Sequence, residues 1–309
     1  MNYEPVLVLV ITVLFFLASL PLSMVYRILY AHQQIPLHNA IQIIGAAASI
    51  VFTLWAIHYA LAPWAVVTAY SIGPVIVMVV TSIWYFTAFP QFRPQKSDFT
   101  YGDDARSLFN LGMGHLALAV LTSVGMNSDF LLVQFVFGSD AVTEFALPSR
   151  IGSLLVMIVG TLFMPLWGFN GIALAQKNFA MVRRNTMMMS GGGTLIVMII
   201  GVALTLGADP IMMAWVGQRF PNQGLIIAMM AIFSIVIAAT SPYNMVLNAV
   251  GQVGVQIKCW LAFVLLSIFG KLLLMSIFGT WTVPLVAAIA YSITIAPFVI
   301  RSAKATLVD

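Results

Sequence analysis

Residues 63–88 read PWAVVTAYSIGPVIVMVVTSIWYFTA, an apolar run without Asp, Glu, Lys or Arg and long enough to cross a hydrocarbon core. Within it, Pro63 is followed by Ala69-Tyr70-Ser71-Ile72, and the same spacing returns at Pro284 with Ala290-Tyr291-Ser292-Ile293. Leu29, Ala31, Gln34 and Ile35 likewise recur as Leu247, Ala249, Gln252 and Val253. The two pairs are displaced by about 218 and about 221 positions, which points to an internal duplication. Duplicated lobes around a central site are a construction principle of membrane transporters.

The rest of the chain belongs to the same solvent. Apolar residues make up 61% and charged residues 7%, and the mean hydropathy is +1.03, which excludes a water-soluble surface. Apolar runs of spanning length lie near 5–25, 37–60, 63–88, 108–137, 142–169, 184–207, 223–250, 256–278 and 281–300. The expected architecture is therefore an all-α polytopic membrane protein with nine transmembrane helices, because strands of a closed barrel would be far shorter. The first run has neither a basic flank nor an Ala-x-Ala-like cleavage site, so it reads as a retained span.

Charge sets the orientation. With nine alternating helices, Arg27, Arg93, Lys96, Arg106, Lys177, Arg183, Arg184, Lys258, Arg301 and Lys304 share one side, and the other holds Arg219. The positive-inside rule makes the rich side cytoplasmic, with the carboxyl terminus, and places the amino terminus and the Asp140/Glu144 loop outside. The basic residues are spread between spans rather than gathered in a patch, so nucleic acid is not an expected partner. The single cysteine, Cys259, reads as a buried thiol, and no Cys/His spacing suits a metal.

The polar stretch 90–107 reads as a cytoplasmic interlobe linker. It divides the chain into a partial amino-terminal lobe of three spans (1–89) and a carboxyl-terminal lobe of six (108–309). On the repeat alignment, partners of the helices near 108, 142 and 184 would precede Met1, which implies roughly 110 missing residues. The expectation is a first lobe lacking three helices.

Several segments carry a family resemblance: Asn110-Leu111-Gly112, Ser128-Asp129-Phe130-Leu131-Leu132, Phe137-Gly138 with Ala141-Val142, Arg150-Ile151, Met164-Pro165-Leu166-Trp167, and Leu247-Asn248-Ala249-Val250-Gly251. Together they resemble the polysaccharide flippases of the MATE-like exporter (MOP) superfamily, the Wzx type that translocates lipid-linked O-antigen units. The resemblance implies a bacterial inner-membrane protein with no enzymatic activity, moving a polyprenyl-pyrophosphate-linked oligosaccharide for lipopolysaccharide and other surface polysaccharide assembly. It also implies contact with membrane lipid, with the polysaccharide polymerase and with the chain-length machinery. No cofactor is implied beyond coupling to a proton or sodium gradient. Such proteins usually have twelve helices, from which this chain departs.

Charges inside the spans are the candidate site. Asp129 lies nine residues before Gly138 and Arg150 nine after Ala141, so at ~1.5 Å per residue both sit about 13 Å below one external turn. They either pair with each other, locking the hairpin, or Arg150 faces a cavity and attracts pyrophosphate while Asp129 serves as a protonatable group. Thr122, Met126, Asp129 and Val133 fall on one helical stripe, and Arg150, Ser153, Met157 and Thr161 on another. Lys271 either lines the cavity or snorkels to the headgroups. Asn244 and Asn248 either bind sugar hydroxyls or bridge helices. Gly191-Gly192-Gly193 lacks the Lys-Ser or Lys-Thr of a P-loop, which argues against ATP-driven transport.

Three rival functions remain open on these residues. One is a drug or small-cation exporter of the same superfamily, whose cavity would be acidic and aromatic. Another is a noncatalytic partner in a membrane complex, and the third is an enzyme of membrane glycan assembly such as a polymerase or ligase. An enzyme of that kind needs a large external loop with catalytic residues, and Ala208 to Asn222 is short and poor in them.

Overall fold

The computed structural model describes residues 4–32, 34–93 and 103–307. Its elements are helical, as expected where no water is present to satisfy an open backbone. They are α1 (Glu4–Leu22), α2 (Met24–Ala31), α3 (Ile35–His58), α4 (Pro63–Ala88), α5 (Asp103–Phe137), α6 (Ser139–Phe163), α7 (Pro165–Ala175), α8 (Phe179–Leu206), α9 (Ala208–Val216), α10 (Gln223–Ala249), α11 (Val253–Phe278), α12 (Thr282–Thr294) and α13 (Ala296–Thr306). Among the described residues these supply nine candidate spans, with α1–α2, α6–α7 and α12–α13 each acting as one broken span. The second and third breaks fall just ahead of Pro165 and Pro297, where a missing N–H ends the hydrogen-bond ladder.

By its contacts the chain divides into two units, Met1–Thr100 and Tyr101–Asp309. Within the first, α4 packs against α1 and α3, and a small core gathers Val25, Tyr26, Leu29, Ile41 and Tyr85. Within the second, α10 is central and packs against α6, α8, α12 and α13, while α11 packs against α5 and α12. Of the stretch expected to link two lobes, Pro90–Phe92 forms a 3-10 turn and α5 begins at Asp103; residues 94–102 lie outside the described residues.

The repeat extends from letters to backbone. The Gln34 N–H donates to Leu29 O at 2.9 Å, and the Gln252 N–H donates to Leu247 O at 2.9 Å. Each bond spans six residues and satisfies a carbonyl that the helix end would otherwise leave bare, the closure of a Schellman motif. Gln34 (φ −85, ψ 47) and Gln252 (φ −80, ψ 67) then cap α3 and α11 in nearly the same conformation. Leu29 and Leu247, whose carbonyls accept these bonds, are both fully buried. The turn before α8 repeats the bond from Asn178 N to Ala173 O, also at 2.9 Å, with Lys177 at φ 57 where Gly251 stands at φ 73. That third copy carries no sequence signal, since Lys rarely adopts left-handed backbone.

The second half of the repeat has diverged in its surroundings. Tyr291 is buried among Phe233, Trp260 and Phe263, with ring centroids 5.8–6.0 Å away, whereas Tyr70 is 64% exposed. What Tyr70 contributes is its carbonyl. Pro74 has no N–H to return to it, and Ser49 Oγ on α3 donates to it instead at 2.8 Å. The helices approach closely here because a side chain on Gly73 would lie 2.6 Å from the Ser49 backbone nitrogen.

Candidate functional site

Asp129 and Lys271 meet because a glycine lets their helices touch. On α5, a Cβ at Gly125 would fall 2.9 Å from the Phe263 ring of α11, so only glycine admits that contact. One turn further along α5 comes Asp129, and two turns beyond Phe263 on α11 comes Lys271. Lys271 Nζ donates to Asp129 Oδ1 at 2.5 Å; the lysine side chain is fully buried and the aspartate side chain 20% exposed. At ~1.5 Å per residue each lies roughly 11–12 Å from the end of its helix, at Phe137 and Phe278, so the pair also matches in depth.

Of the two readings of Asp129 and Arg150, the mutual bridge is therefore not formed. Depth was shared, but rotation about the helix axis was not: α6 turns Phe145, Pro148, Ser149, Ile151, Gly152 and Leu155 inward and leaves Arg150 exposed. The snorkelling reading of Lys271 is corrected too, since its ammonium turns inward to a carboxylate instead of out to headgroups.

The two predicted stripes have different environments. Thr122, Met126, Asp129 and Val133 are buried or half-buried, with the Thr122 hydroxyl donating to Leu118 O at 2.8 Å. Arg150, Ser153, Met157 and Thr161 all stand exposed on α6. The Ser153 hydroxyl donates to Arg150 O at 2.8 Å, so it is satisfied locally. On α5, Ser123, Asn127 and Gln134 form a further exposed polar row. Arg150 makes no ion pair among the described residues.

Asn248 bridges helices: its Oδ1 accepts from Gln256 Nε2 of α11 at 2.8 Å. Asn244 is half-buried beside Tyr291, and its Oδ1 has no partner. Arg219, the cation assigned to the outer side, pairs with Asp209 at 3.5 Å. Asp209 also accepts from Gln223 Nε2 at 2.6 Å. Gly193 is a packing residue, since a Cβ there would sit 2.3 Å from Phe163.

Two polar features escaped the sequence. In the first unit a cavity of about 340 Å³ is lined by Tyr26, Gln42, Ser49 and Tyr70, and Gln42 Nε2 lies 3.1 Å from Nε2 of buried His38. The proline at 74 was its only signal, through the carbonyl it frees. In the second unit Asn170 is fully buried with neither amide atom paired. Nothing in the local sequence of α7 marks it.

No family model matches the chain, and no curated protein matches it in sequence. In three dimensions it is similar to a solved structure described as the outward-facing conformation of a multidrug resistance MATE family transporter of the MOP superfamily, with a TM-score of 0.71. The fold is that of a MATE transporter. Identity is 15%, and the likeness covers 87% of this chain and 62% of the solved one. The all-helical architecture expected from hydropathy is thus a MATE fold, and the chain spans 62% of the length of that relative. The finer Wzx-type likeness is a matter of function.

Proposed function

We propose that the protein is a transport subunit that moves a lipid-linked oligosaccharide across the membrane by alternating access, the pyrophosphate drawn to Arg150 while the lipid tail stays in the bilayer. The carrying observation is Arg150, exposed on α6 and without a carboxylate partner among the described residues. Helix α6 begins at Ser139, so by its rise the backbone of Arg150 lies about 17 Å in, a depth at which an ionised group is costly against lipid. A polar cargo relieves that cost, and a planar cation with five donors suits phosphate oxygens.

The solved neighbour is a multidrug transporter by its description, which favours an exporter of small cations as the second reading. Such a cargo calls for an unpaired carboxylate. Asp129, at comparable depth in the same unit, is paired with Lys271, whereas Arg150 has no carboxylate partner among the described residues, so the unpaired charge at that depth is positive.

The test is Arg150→Ala in the native host, scored by surface polysaccharide and by resistance to cationic dyes. The expected result is loss of polysaccharide with the protein still accumulating, partial recovery with Arg150→Lys, and unchanged dye resistance. Normal polysaccharide from Arg150→Ala, or loss of dye resistance instead, overturns the reading.

A further inference from the structure

At the cation-rich end of the second unit, α8, α10 and α13 enclose a cavity of about 290 Å³ lined by Arg183, Thr186, Met187, Tyr243, Lys304 and Leu307. A second space of about 620 Å³ adjoins it, sharing Arg183, Met187 and Leu307 and adding Phe179, Arg184 and Met188. Arg183, Arg184 and Lys304 form no ion pair among the described residues. Thr186 is 1% exposed, lines the first cavity, and its Oγ1 has no hydrogen-bond partner. The site thus offers three cations and a buried hydroxyl with nothing to bind.

We propose that this cavity binds the phosphate of an anionic phospholipid from the adjacent leaflet. The phosphate takes Arg183 and Lys304 at the mouth and the Thr186 hydroxyl within. Three features favour a lipid over free phosphate or nucleotide. The adjoining space is lined by Met187 and Met188, 56% and 61% exposed, an adaptable apolar surface suited to an acyl chain. The amino-terminal turn of α8 borders the space at Phe179 and Ala180, where the positive end of the helix dipole favours an anion although Asn178 Oδ1 already caps the Met181 N–H. The end concerned also carries Lys177, Arg301 and Lys258, and the positive-inside rule sets such an end against the anionic inner leaflet. The site stands apart from Arg150 and does not depend on the cargo proposed above.

The test uses protein purified from its own host membranes and native mass spectrometry in detergent, with phosphatidylglycerol, phosphatidylcholine or inorganic phosphate added. Each cation near an anionic lipid contributes about fivefold in affinity. Arg183→Gln with Lys304→Gln is therefore expected to weaken phosphatidylglycerol retention roughly 30-fold, with phosphatidylcholine retained weakly by both proteins. Thr186→Val, which keeps the shape of the side chain, is expected to weaken retention several-fold and decides the matter if the double variant does not accumulate. Asp309 lies outside the described residues, so Asp309→Asn is included. A tenfold rise in retention on that change would make the Asp309 carboxylate the occupant and overturn the proposal. Equal retention by wild type and all cation and Thr186 variants also overturns it, as does inorganic phosphate displacing phosphatidylglycerol at similar concentration.

Discussion

Replacing Lys271 with Met separates a structural charge from a functional one. The change removes the ammonium that donates to Asp129 at 2.5 Å and keeps an unbranched side chain of comparable length in a site with no exposure. Removing one partner of a buried pair leaves an uncompensated charge and costs about 3–5 kcal/mol. The aspartate side chain is 20% exposed, so partial hydration places the expected loss at about 3 kcal/mol, about 150-fold in the folding equilibrium. Asp129→Asn combined with Lys271→Met removes both charges and should recover ~2 kcal/mol of that, the coupling expected for residues in contact. Equilibrium unfolding in mixed micelles, followed by helical circular dichroism, measures all four corners of the cycle. A parallel cycle of Asp129→Asn with Arg150→Gln should be additive within about 0.5 kcal/mol, because the structure gives those two side chains no contact. If Lys271→Met is neutral, the buried pair between α5 and α11 is wrong, and if strong coupling appears between Asp129 and Arg150, the rotation assigned to α6 is wrong.

Two packing predictions accompany it. Ser49→Ala strands the Tyr70 carbonyl that Pro74 has already released, and should cost about 1–2 kcal/mol in the same unfolding assay; an unchanged midpoint would mean that the carbonyl finds another donor. Gly193→Ala places a methyl 2.3 Å from buried Phe163 and should destabilise by about 1–3 kcal/mol, whereas Gly191→Ala, with nothing within 4 Å, should be neutral or stabilising; equal effects at the two positions would contradict the packing.

Depth in the membrane was legible in the sequence and facing was not. Span limits follow from where hydropathy stops, so 63–88 and 223–250 recur almost unchanged as α4 and α10. Depth follows from counting residues to a turn, which put Asp129, Arg150 and Lys271 at similar levels. Facing normally comes from an apolar stripe, and helices apolar all round, such as α11, carry almost none. Arg150 was thus set opposite Asp129 on depth alone, while the true partner lay 142 residues away on α11. Gly125 was the missing clue, because only the aromatic side of α11 explains a bare position one turn before the aspartate. The turns at Gln34 and Gln252 could be matched by their letters, but Lys177 takes the same turn with a residue that gives no hint of it.

The span of 142 residues between Asp129 and Lys271 also bears on how the protein is made. At about 5–20 residues per second, α5 leaves the ribosome roughly 7–28 seconds before its partner on α11 exists. During that interval an aspartate near the middle of a span opposes insertion by about 2.5–3.5 kcal/mol, and only the apolar residues around it hold α5 in place. Helix α5 must therefore linger at the insertion machinery or rest against earlier helices until α11 arrives. A chain stalled before α11 would display a membrane-embedded carboxylate, a mark by which quality-control proteases could recognise unfinished copies.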